Sequence, residues 1–418
     1  MGCTSSILHT GGKKKKMMIA EVVVFVPTMQ IPVQSELHKG LKGLIPKDMI
    51  DRLVDFRNRV ILLSEDTDVL AIPEIKQALE EYLPVLLGLT KKDYGALDAV
   101  PYKWRTLDDK REQEICVTNT WYEVLSVVYM LAVLTLVEAN MLLVPKQYTG
   151  SSDRIVSTDC QRDAIDMLLK ASGYLDFCVK SILPQLGPEI KNKLHKDMRE
   201  GALEALSLQA LGQATELQLG LAIDNQKATL SVKRRLACEE QTFFTQAHCS
   251  LFGEKTNESD AGKQSLFIKY KFLEAKAAAY FYHGLIVEKS NEPLSHMNAL
   301  GSYVAAEELL AESRKACLSF CLASPVNRVP PLWGAMKHFH QKIPDTASKK
   351  SQMNSYLFDQ EKGLQPPPEL PEFQLSLRPD DYELPEVDSA WSREKWEIIG
   401  QPLKEHLQEL EDVIEDES

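Results

Sequence analysis

From about residue 36 to residue 322 the chain keeps one rhythm, with apolar side chains recurring at intervals of three and four. That is the period of helices with buried stripes, and strand-like alternation is nearly absent. Eight helices are expected, over 36–64, 74–91, 101–143, 154–184, 188–223, 225–251, 264–289 and 293–323. Loop chemistry separates them at Ala71-Ile72-Pro73, at 148–152 and at 253–260. Several are apolar on more than one face, as at Leu203, Leu206, Leu208, Leu211, Leu217, Leu219 and Leu221, which suits a helix held between neighbours. The expected fold is therefore all-α, an elongated solenoid of stacked helix pairs in the tetratricopeptide manner but without a strict repeat. The one credible strand region is 21–33, with Val22-Val23-Val24-Phe25-Val26 and prolines at 27 and 32, read as a short amino-terminal hairpin.

Between Glu123 and Glu138 lie 14 uncharged residues. A membrane span needs about 20, so this stretch is expected to be buried in protein. Beyond Pro325 the prolines at 330, 331, 344, 366, 367, 368 and 371 indicate extended chain laid over the helical body. The expected organisation is a basic leader (1–20), a helical body (21–365), a Pro-rich acidic linker (366–401) and an acidic amphipathic tail (402–418). In the tail, Leu403, Leu407, Leu410 and Ile414 share one helical face. The net charge of -12 belongs to the end of the chain: residues 359–418 carry 18 acidic and 5 basic side chains, and the rest is nearly neutral. No basic stripe for nucleic acid is evident. The eight cysteines form no C-x-x-C and fit a reducing, cytosolic setting.

The first six residues, Met1-Gly2-Cys3-Thr4-Ser5-Ser6, match the signal for myristoylation of Gly2. One acyl chain binds membranes only marginally. Two further signals follow: Cys3, a palmitate acceptor, and Lys13, Lys14, Lys15 and Lys16, worth about 1 kcal/mol each beside anionic lipid. The expectation is a peripheral, lipid-anchored protein on the cytosolic face of a membrane, with a cytoplasmic pool.

No catalytic constellation is found, and no cofactor or metal is expected. Neither a nucleophile elbow nor a zinc-protease motif occurs. His338-Phe339-His340, read as a proline-flanked loop, and Cys317/Cys321 on a helix are too dispersed for a zinc site. Interaction chemistry remains. On helix 225–251, Val232, Leu236 and Phe243 form one stripe beside Lys233-Arg234-Arg235, which would suit an acidic amphipathic ligand; ordinary core packing produces the same stripe.

Further stretches carry a family likeness. They are Trp104-Arg105-Thr106-Leu107 before Trp121-Tyr122-Glu123-Val124-Leu125, Lys170-Ala171-Ser172-Gly173-Tyr174-Leu175, and 206–216 with its core Gly212-Gln213-Ala214-Thr215-Glu216. Lys233-Arg234-Arg235-Leu236-Ala237, 271–280 and Glu288-Lys289-Ser290-Asn291-Glu292 follow in order. Over about 20–365 the chain resembles the Bro-one domain of Alix, Brox and their yeast relatives. The resemblance implies a boomerang-shaped helical domain with a small β element. It also implies a non-catalytic adaptor that holds the carboxy-terminal amphipathic helix of an ESCRT-III filament subunit, on endosomes or the plasma membrane. Its binding residues would fall at Leu219 (or its neighbour Gln218), Val232 and Leu236, with Arg162 as the basic member. The alternative is a general solenoid scaffold for other trafficking or signalling partners. The chain shows no V-shaped domain, and Glu415-Asp416-Glu417-Ser418 is not a prenylation box, so Gly2 and Cys3 are expected to supply the anchor. This layout is most similar to that of plant endosomal-targeting members.

Overall fold

A computed structural model describes residues 21–65, 71–106, 114–144, 156–252, 262–290, 295–353 and 367–392. Gly2, Cys3, the four lysines of the leader and the 402–418 tail lie outside these residues. In chain order the elements are β1 (Gln30–Val33), α1 (Leu37–Leu41), α2 (Lys47–Glu65), α3 (Ile72–Leu87), β2 (Pro101–Thr106), β3 (Glu114–Thr118), α4 (Thr120–Leu143), α5 (Thr158–Phe177), α6 (Pro188–Lys193), α7 (Glu200–Asp224), α8 (Leu230–Phe252), α9 (Gly262–Val287), α10 (Ser295–Leu322) and α11 (Gly334–Met353). The long helices pack largely in sequence: α4 on α5, α5 on α7, α7 on α8, α8 on α9, α9 on α10, α10 on α11. This is the expected helical solenoid with a small sheet.

The sheet differs from the expected hairpin. β2 sits between β1 and β3, antiparallel to both, with Trp104 opposite Pro32 on one side and Ile115 on the other. Residues 101–118, expected to open one long helix, are therefore two strands. Alternation decides it: Tyr102, Trp104 and Thr106 are buried while Pro101, Lys103 and Arg105 between them are partly exposed. The helix begins only after Asn119, whose side chain accepts a hydrogen bond from the Trp121 backbone N–H. The expected helix 36–64 likewise divides into α1 and α2, at Gly43 with φ of 81° and then Pro46. The 188–223 helix divides into α6 and α7.

α4 is the spine of the core. It passes the length and composition test for a membrane span, yet 89% of its most apolar window is buried inside the protein. Its one buried carboxylate, Glu123, is matched by a deliberate set of donors. Arg57 of α2 gives Glu123 a 2.8 Å hydrogen bond and reaches the carbonyls of Val33 (2.5 Å) and Lys103 (3.1 Å). Trp104 Nε1 donates to the other carboxylate oxygen at 2.6 Å, and the Tyr82 hydroxyl lies at 3.3 Å. Burial opposes the Arg57 charge, and Glu123 more than restores it, so its pKa stands above the ordinary value. The cluster ties α2, α3, α4 and the sheet together.

After Pro325 the extended reading gives way to a helix over 334–353. Phe339, Ile343 and Ala347 bury one face of α11, so His338 and His340 stand on a helix rather than in a loop. The extended chain expected over the body is present at 367–388, and it stays strapped across the body beyond Pro371, where a departing linker was expected. Asp380 N–H bonds the Leu169 carbonyl at 3.2 Å, and a Cβ on Gly173 would lie 2.3 Å from the Asp380 carbonyl oxygen. Tyr382 packs edge-on against Tyr174 and Phe177. Asp388 makes a two-point pair with Arg52 (2.8 and 3.0 Å), and the Trp391 indole donates to Val85 O at 3.0 Å over Gly88, where any Cβ would collide with its ring.

Candidate protein-binding surface

The turn from α7 to α8 is built by side chains that mimic backbone. Asn225 Oδ1 accepts from Lys227 N–H at 3.0 Å, and Thr229 Oγ1 accepts from Val232 N–H at 3.3 Å, which starts α8. α8 then buries Ala237, Cys238, Phe244 and Ala247. On its outer side Val232 is 47% exposed. Leu236, one turn on, is half-buried against a second core cluster that contains Leu219, Ala278, Tyr282 and Phe339. Val232 and Leu236 are thus brought together at the surface as the stripe predicts.

The remaining predicted residues are placed differently. Leu219 is 0% exposed, a core residue beneath α8 that offers no surface; its neighbour Gln218 is half-buried and reaches solvent. α7 is apolar on several faces, so its sequence could not distinguish the buried face from an outer one. Arg162 stands on the second turn of α5 with 67% of its side chain exposed, 3.7 Å from Asp159, and α7 lies between α5 and α8. Phe243 is buried, because the strap crosses the stripe there. Together with Leu208, Leu211 and Leu377 it lines a cleft of about 540 Å³ beneath strap residues 374–379.

The strap also takes two of the three basic residues on α8. Arg235 pairs with Glu239 at 2.6 Å, both bond the Ser376 hydroxyl (2.9 Å each), and Glu239 accepts from Ser376 N–H at 2.8 Å. The Arg234 guanidinium lies over the Phe373 ring. Lys233 faces α11 instead. Burial, then Lys342 and Lys233, hold the His338 imidazole below its ordinary pKa, with Asp224 opposing them. The exposed end of α8 therefore joins apolar Val232 and Leu236 to a cationic border from two helices. Sequence reasoning missed Glu239 and Ser376, which lie 137 residues apart and leave no local signal.

A second buried charge cluster joins α7, α8 and α9. Lys271 of α9 bonds Glu216 of α7 at 2.8 Å and Glu274 at 3.0 Å. Burial and the neighbouring carboxylates push Glu274 up to about 7, and Glu240 of α8 well above the usual carboxylate range, despite Lys271. Burial opposes the Lys271 charge, which Glu216 and Glu274 restore, so its pKa is raised as well. Among the described residues no group of three or more His, Cys, Asp or Glu is arranged to hold a metal ion.

A stack of helices packed largely in sequence, with a peptide strap along its side, is a fold of the helical-solenoid class. Within that class the chain belongs to the BRO1-like domain family, whose model matches residues 46–362. Similar solved structures share the fold at 14% identity. One is ALIX in complex with the SIVmac239 PYKEVTEDL late domain (TM-score 0.60), which aligns over 89% of this chain and 51% of that one, so this chain spans about half of that protein's length. Another is an ALIX BRO1–CHMP4C complex (TM-score 0.60, 88% of this chain and 99% of that one). A third concerns the structural basis for endosomal targeting by the Bro1 domain (TM-score 0.57, 92% and 95%). No curated protein matches the sequence.

Proposed function

We propose that the protein is a membrane-anchored, non-catalytic adaptor that holds the carboxy-terminal amphipathic helix of an ESCRT-III subunit on the exposed end of α8. The observation that carries this reading is exposed Val232 beside half-buried Leu236 with Lys233 alongside, an apolar stripe with a cationic edge. An amphipathic helix with an acidic polar face is its complement. Membership of the BRO1-like family and the ALIX BRO1–CHMP4C complex support the partner class, and the structure on endosomal targeting by a Bro1 domain supports an endosomal setting. Arg162 and Gln218 would extend the contact toward α5 and α7. Acyl groups on Gly2 and Cys3, with the four leader lysines, would hold adaptor and filament subunit on one membrane and raise their effective concentration. Intact mass of the protein from its native cell reads the acylation directly.

The decisive variant is Val232→Asp, since an exposed position tolerates the charge. It should weaken binding of an ESCRT-III carboxy-terminal peptide by at least about tenfold. Circular dichroism and thermal midpoint should be unchanged. Wild-type affinity in this variant would remove the assigned surface. A general scaffold for other cargo would show no binding of such a peptide even to the unmutated protein.

A further inference from the structure

Exposed large aliphatic side chains are few on the described surface, and five of eight fall in one stretch: Leu318, Leu322, Val326, Val329 and Leu332. Leu318 and Leu322 are one turn apart on the last turns of α10, with Leu322 74% exposed. The other three follow in the segment that leads to α11. That segment is fixed. Lys263 of α9 donates to the Ala323 and Pro325 carbonyls and to Asn327 Oδ1, and Asn327 N–H returns to the Cys321 carbonyl at 2.9 Å. The apolar residues are thus displayed on the last turns of α10 and on the braced segment after it, well apart in sequence from the α8 surface. A grouped apolar patch of this kind marks an interaction site.

Charge and chain path identify what the patch meets. From 313 to 333 the sequence carries Arg314, Lys315 and Arg328 and no carboxylate, in a chain of net charge -12. The described chain begins at Glu21, which bridges through its backbone to Arg328 inside this segment. The leader with Lys13, Lys14, Lys15 and Lys16 therefore joins the body beside the patch.

We propose that the end of α10 and the 323–332 segment form a lipid-facing surface that inserts its aliphatic side chains into an anionic bilayer. Aliphatic side chains bordered by cations, with no carboxylate in the segment, match the interfacial zone of such a membrane. This surface deepens the membrane part of the proposed function, and it requires neither acylation nor the partner helix.

The test uses full-length protein made in bacteria, where it stays unacylated, and sedimentation with phosphatidylcholine vesicles containing about 30% phosphatidylserine. Wild type should bind these and bind pure phosphatidylcholine more weakly. Leu322→Asp should lower vesicle affinity about tenfold, and Leu322→Trp should raise it with a blue-shifted emission on binding. Both variants should hold the ESCRT-III peptide as wild type does, which separates this surface from that on α8. Absence of binding by wild type, or equal binding by wild type and both variants, would overturn the proposal while leaving the adaptor reading intact. A dimer that Leu322→Asp dissolves without changing vesicle binding would assign the patch to a second copy of the chain instead.

Discussion

The cluster around Glu123 and the cluster around Lys271 use one device, a charge drawn into the helical stack and bonded by neighbouring elements, but to different balances. Around Glu123 there is one carboxylate and one guanidinium, and the spare donors of Arg57 find backbone carbonyls. Around Lys271 there is one ammonium for three carboxylates, Glu216, Glu274 and Glu240. In a poorly solvated interior an unmatched negative charge is relieved by taking up a proton, which is why Glu274 and Glu240 have raised pKa values. The first cluster is a fixed rivet between the sheet and the first helices. The second joins α7, α8 and α9 and carries carboxyls whose pKa values burial and crowding raise.

Breaking each cluster at its cation tests the difference. Arg57→Met leaves Glu123 buried without its charge partner, and should cost about 3–5 kcal/mol of unfolding free energy in denaturant titrations. Lys271→Met should cost about 3 kcal/mol at pH 8 and roughly 1 kcal/mol less at pH 5.5, because its carboxylates can protonate. Equal costs at both pH values would show that the second cluster does not titrate. The smallest effect sharpens the contrast. A carboxyl whose pKa is raised by folding keeps a proton that the unfolded chain has released, so its contribution is complete below the unfolded value near 4.5. That contribution is lost as pH rises through the folded value, about 7 for Glu274. Glu240→Gln stays neutral in both states, so the variant should gain stability on wild type at pH 8 and little near pH 4.5. A gain independent of pH would reject the titration.

Much of this was already written in the sequence. Trp104 and Glu123 of the first cluster, and Glu216, Lys271 and Glu274 of the second, sit within the stretches that carried the family likeness. The side chains of Glu123, Glu216, Lys271 and Glu274 are polar exceptions in apolar helical patterns, and such exceptions must be paired when buried. The strands over 101–118 were not legible, because two short alternating runs next to a long helical pattern are absorbed by it. Nor was the loss of Phe243 from the exposed stripe, since the strap that covers it comes from 374–379.

At the level of local chemistry, the sequence determined most of the long helices, the strands over 101–118 and the helix over 334–353 excepted, and where the acidic and basic side chains concentrate. Helical period, caps and breakers act within a few residues and need no partner to be read. The tertiary structure alone decided which apolar faces become interior: Leu219 went into the core and Val232 remained outside on an adjacent helix with a similar pattern. It also decided that Arg52 would meet Asp388 across 336 residues, and that the strap would take Arg235. Burial and long-range pairing are properties of the packed assembly, set by which surfaces exclude water together, and no window of sequence contains that information.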